Sequence, residues 1–228
     1  MTQHHVSVGT LIGQTFALIA SDAGAALLAF GTIVAASTAL DIAAPNGGNF
    51  ASLPILVVQY FMVRRLVDRR ALRSAESHAG FGSYFLLGLM TGLATLLGFV
   101  VLVVPGIYLS ARWAMSGAAL LAENEGATNA ARRAWHGSAG HTLPIVIAQL
   151  LLALPLIVGA IVILSVGVTD GIAAANGVGA PSNETTLAVS LIFNALLFAS
   201  QIAGWYFGVA AYELIVGRPT AALNEVFA

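Results

Sequence analysis

The stretch VVLVVPGIYLSARWAM, residues 100–115, decides how the rest of the chain is read. It is almost wholly apolar, yet it holds a Pro-Gly pair and, seven residues after the proline, an arginine. In a water-soluble core these letters describe a turn and then a helix whose one charge reaches for solvent. In a membrane they describe a hairpin tip and a charge held within lipid. Composition chooses between the two. Of 228 residues, 58% are hydrophobic and only 8% charged, and the mean hydropathy is +0.89. A soluble domain carries about 25% charged residues, so this chain cannot cover a water-facing surface, and lipid must do so.

Charge-free runs give the spans. None of residues 23–40, 42–63, 79–111, 134–169 and 185–212 is charged, histidine being counted as neutral. A spanning helix needs about 20 mainly apolar residues. One helix from Gly80 to Ala122 would measure about 64 Å at about 1.5 Å per residue, twice a bilayer core. The chain therefore has to reverse, and Pro105-Gly106 is the expected place. The reading is an all-α integral membrane protein forming one membrane domain over 1–228. Six spans are expected near 22–43, 51–68, 81–104, 107–122, 142–167 and 186–213.

All nine basic residues are arginine. Arg64, Arg65, Arg69, Arg70 and Arg73 follow span two, Arg132 and Arg133 lie between spans four and five, and Arg218 follows span six. The positive-inside rule then places both termini in the cytoplasm. The loops APNGGN (44–49) and TDGIAAANGVGAPSNET (169–185), which carry no basic residue, face outward. The N-terminus lacks the basic region and cleavage site of a secretory signal. The Ala- and Gly-rich, lysine-free composition suggests a bacterial inner membrane, and the Asn183-Glu-Thr sequon is read as chance.

Two segments look amphipathic and interfacial, on the cytoplasmic side. In 6–20, Val8, Leu11, Ile12, Phe16 and Ile19 share one helical face. In 127–138, Ala127, Ala130, Ala131, Ala134, Trp135 and Ser138 share a face opposite Arg132, Arg133 and His136. Each precedes a two-span hairpin, and the hairpins end alike, QYFMVRRLVDRR against GWYFGVAAYELIVGRP. This suggests a parallel internal repeat flanking a central hairpin, unlike the inverted repeats of many transporters.

Pro105, Gly106, Ile107, Tyr108, Arg112, Trp113, Glu123, Ala130, Arg133, Trp135 and Gly140 together resemble the motif of a bacterial six-span family. One branch of that family is the membrane domain attached to some glycerophosphodiester phosphodiesterases, and other members stand alone. Ala134 replaces the motif's serine and Gly137 its leucine. The resemblance implies six spans and no assigned chemistry. The phosphodiesterase itself is a separate barrel, and a typical barrel needs about 250 residues.

Little in the chain points to catalysis. With no cysteine there is no thiolate metal site, and no H-E-x-x-H, G-x-S-x-G or phosphate-cradling loop occurs. His78, His136 and His141 with Glu76, Glu123 and Glu125 are the one conceivable metal set, but ordinary interfacial solvation suits them better. No cofactor is expected. The net charge of −1 argues against a nucleic-acid partner. The GxxxG pairs Gly88/Gly92 and Gly204/Gly208 are expected to let helices approach closely.

Arg112 is expected about 10 Å below an outer Pro105 tip, touching Tyr108 and either snorkelling or pairing with Asp41, Asp170 or a lipid phosphate. Glu123 is expected to pair with Arg133 and clamp the 127–138 helix, with Trp135 as its interfacial anchor. Arg132 and Arg133 beside the Arg64–Arg73 cluster could instead hold anionic headgroups.

Three function classes follow. The first is a non-catalytic membrane protein with an envelope- or lipid-related role, or an accessory subunit among partner membrane proteins. The second is a transporter or channel for a small or amphipathic solute, which a cavity bordered by Gln149, Asn194 and Gln201 would favour. The third is an intramembrane enzyme.

Overall fold

The computed structural model describes residues 6–43, 52–74, 79–123, 125–175 and 183–217. These form helices and connecting turns, with no strand among them. The order is α1 (Val8–Ser21), α2 (Ala23–Ala43), α3 (Ser52–Arg69), α4 (Phe81–Val101), α5 (Val103–Arg112), α6 (Ser116–Glu123), α7 (Ala127–Gly137), α8 (Thr142–Ala175) and α9 (Asn183–Ile215).

Four helices are long and apolar enough to cross a membrane, over Ala23–Leu40, Phe81–Val101, Thr142–Val162 and Leu187–Ile215. Two of the six expected spans fall short of that standard. The end of α3 carries Arg64, Arg65, Asp68 and Arg69. The fourth run is broken at Trp113–Met115 into α5 and α6.

The reversal after α4 also differs from the expected Pro-Gly turn. Leu102 is the extended residue (φ −160°, ψ 144°) between α4 and α5. Pro105 sits in the first turn of α5, where a missing N–H costs no helical bond. Gly106 provides close approach rather than a turn: a Cβ there would overlap the Phe99 ring, and one on Gly98 would lie 3.0 Å from the Gly106 Cα. The two glycines let α4 and α5 pack antiparallel.

α1 opens on a capping box, in which Thr10 N–H donates to Ser7 Oγ and Ser7 N–H donates to Thr10 Oγ1. Its buried residues are Leu11, Thr15 and Leu18, while Phe16, expected on the same apolar face as Leu11, is exposed. α7 buries Ala127, Ala130 and Ala134 and leaves Arg132, Arg133 and His136 outside. The two arms of the expected repeat are packed differently, α1 against α8 and α9, α7 against α4 and α6. After α3 the chain stops on Ala71, at φ 51°. Leu72 N–H donates back to Val67 O, the 6→1 bond of a helix terminator that usually uses glycine.

Candidate functional site

The ends of α1, α3, α6 and α9 meet at one pole of the bundle, and acidic side chains there are gripped by arginines from other helices. Asp22, between α1 and α2, has a side chain only 2% exposed. It accepts from Arg65 Nε and Nη2 (3.1–3.2 Å), from Arg69 Nη1 (2.5 Å) and from the Tyr206 hydroxyl (3.3 Å). Glu213, in the last turn of α9, accepts from Arg70 Nη2 (2.6 Å) and Nε (3.2 Å) and from Gln14 Nε2 (2.9 Å). Glu123, ending α6, pairs with Arg133 Nε of α7 and accepts from the Tyr212 hydroxyl at 2.6 Å. Arg73 pairs with Asp68 at 3.1 Å, and Arg64 donates to the Tyr60 hydroxyl at 2.8 Å. A backbone bond from Ser74 N–H to Ala122 O (2.8 Å) adds a further tie.

Arg112 belongs to this pole, which corrects its expected outer position. It ends α5, and that helix is only 10 residues, or about 15 Å, long. Its guanidinium lies 4.4 Å from the Trp135 ring centroid and 5.8 Å from that of Tyr108. Its Nη1 donates to Thr142 Oγ1 at 3.3 Å, and its carbonyl accepts from Ser138 Oγ at 3.1 Å. Trp113 joins the aromatic group, 5.6 Å from Trp135. The side chains of Asp41 and Asp170 lie outside the described residues.

Arg132 does not join the ion pairs. With Asn129, Arg133 and His136 it lines a surface groove of about 410 Å³. His78 and Glu76, members of the conceivable metal set, lie outside the described residues, and no group of three His, Asp or Glu among those described could hold a metal ion. Inside the bundle, a pocket of about 200 Å³ is bordered by Gln59, Tyr84, Thr91, Trp113, Ser116 and Trp205. Of the residues expected to border a transport cavity, Asn194 Nδ2 donates to Thr38 Oγ1 at 3.2 Å, and Gln149 lines a different groove and accepts from Ser110 Oγ at 3.4 Å.

The roles of Asp22, Glu213, Gln14, Tyr206 and Tyr212 are absent from the sequence reading. The available signal was that Asp22 and Glu213 are lone acids at the ends of apolar runs. Comparison with protein-family models, with curated proteins and with solved structures finds no match.

Proposed function

We propose that this chain is a non-catalytic, six-span protein of a bacterial inner membrane with a lipid-related or accessory-subunit role. The spans are α2, α3, α4, α5 with α6, α8 and α9. The arginine-bearing pole and both termini face the cytoplasm, and α1 and α7 lie at that interface. The observation that carries this reading is the gathering of arginines from α3, α5 and α7 at one pole, which is the asymmetry that sets orientation in membranes. Large apolar side chains elsewhere face outward, among them Leu97, Val100, Leu102 and Val104 at 63–75% exposure. The likeness to the membrane domain attached to some glycerophosphodiester phosphodiesterases supports the same class.

Since the chain has no cysteine, single cysteines can report sidedness. Asn129→Cys should resist an impermeant maleimide in intact cells, and Asn46→Cys should react. The reverse pattern overturns the orientation.

The pocket bordered by Gln59, Tyr84, Thr91 and Ser116 favours a second reading, passage of a small neutral solute. Solute flux into proteoliposomes that is abolished by Gly88→Leu, which fills the pocket wall, would support it over the first.

A further inference from the structure

Arg112 is 6% exposed, and its Nε is buried with no hydrogen-bond partner. Among the described residues no carboxylate pairs with it, whereas Arg65, Arg69, Arg70, Arg73 and Arg133 each have one. Arg64 and Arg132 also lack one, but they are less buried. A buried cation without a counter-ion is costly, because its lost hydration is not replaced. Two aromatic faces and one hydroxyl supply only part of that replacement. The site is therefore short of one anion.

The surroundings indicate which anion. Tyr108, which Arg112 touches, and Leu143, next to Thr142, are 43% and 69% exposed, so apolar side chains beside the site face outward. Tyr108, Trp113 and Trp135 make the aromatic cluster typical of a headgroup layer. Two residues before Arg112, Ser110 of α5 lines an apolar groove of about 460 Å³, together with Ile107 of α5, Leu150 and Ile157 of α8, Phe99 of α4 and Phe207 of α9. A charge-accepting head and an apolar trough in this arrangement match one molecule with a phosphate at its head and an acyl chain behind it.

We infer that Arg112 anchors a phospholipid, its guanidinium donating to a phosphodiester oxygen while an acyl chain occupies the α5–α8 groove. The forked, planar guanidinium suits a phosphate better than a lysine would. The inference rests on the membrane reading above and gives it a specific ligand.

The test uses the full chain in nanodiscs of phosphatidylcholine with phosphatidylglycerol, moved into mild detergent and weighed by native mass spectrometry. The wild type should retain one phosphatidylglycerol, and Arg112→Gln should retain at least tenfold less. Arg132→Gln, outside the site, should retain it fully. Thr142→Glu places a carboxylate beside the guanidinium, so it should expel the lipid while raising the melting temperature; it keeps the test valid if Arg112→Gln does not fold. Retention of the lipid by both Arg112→Gln and Thr142→Glu overturns the inference. So does stabilisation by inorganic phosphate in lipid-free micelles with no lipid retained, because the anion would then be free phosphate. Release of the chain from membranes by alkaline carbonate would instead refute the membrane reading on which the inference stands.

Discussion

Arg70→Gln should destabilise the protein more than Glu213→Gln, and the two changes should not add. The Glu213 side chain is 9% exposed and that of Arg70 is 32% exposed. Breaking a buried pair by removing one partner costs about 3–5 kcal/mol, whereas an exposed pair is worth under about 1 kcal/mol. Without Arg70, a nearly buried carboxylate keeps the Gln14 bond at 2.9 Å but loses the Arg70 ion pair. Partial access to water through the Arg70 site brings the expected cost to about 2–3 kcal/mol. Without the Glu213 charge, Arg70 can turn toward water, and the cost falls to about 1–1.5 kcal/mol. The double variant leaves neither charge of the pair, so it should cost about as much as Glu213→Gln alone, a coupling of about 2–3 kcal/mol. Titration with sodium dodecyl sulfate in mixed micelles, followed by tryptophan emission, measures all four states. Arg70→Gln should raise the unfolding constant about 30- to 150-fold. If the two costs sum within about 0.3 kcal/mol, or if Glu213→Gln is the more damaging change, the account of this clamp is wrong.

Three further outcomes follow from the packing. Gly106→Ala should cost about 1–3 kcal/mol, because its Cβ meets the Phe99 ring, while Gly92→Ala, with no atom within 4 Å of the new Cβ, should cost no stability; the same titration separates them. Ala71→Gly should stabilise the end of α3 by up to about 1 kcal/mol, since Ala71 holds a left-handed conformation that glycine adopts without strain, and an unchanged or lowered midpoint would contradict this. A double-mutant cycle on Glu123→Gln and Arg133→Gln should give a coupling below about 1 kcal/mol, because Arg133 is half exposed; additivity would remove the ion pair as a clamp on α7.

Periodicity made α7 legible almost to the residue, because its alanines fall on one face and its charges on the other. Charge-free runs located α2, α4, α8 and α9 for the same reason: length and apolarity are local properties. Arg112 was misplaced because its depth was counted from Pro105 as though the helix ran on unbroken. Leu102 moves the reversal earlier, and the break at Trp113–Met115 ends α5 at Arg112. Nothing local marks that break, which contains neither glycine nor proline. The Glu123–Arg133 pair was legible because only ten residues separate its members. The bonds from Arg70 and Gln14 to Glu213 span 143 and 199 residues, and no helical period reports a contact over that distance.

The clamps also impose an order on biogenesis. Asp22 meets its arginines once α3 has emerged, 43–47 residues later. Glu123 meets Arg133 within the same turn of synthesis. Arg70 has to wait for Glu213 in the final turn of α9, and the Tyr206 and Tyr212 hydroxyls arrive on the same helix. Insertion of α9 therefore completes three separate polar clusters at once and locks the first third of the chain to the last. A nascent chain halted before residue 213 lacks the carboxylate that Arg70 grips, so its first helices are not yet tied to its last.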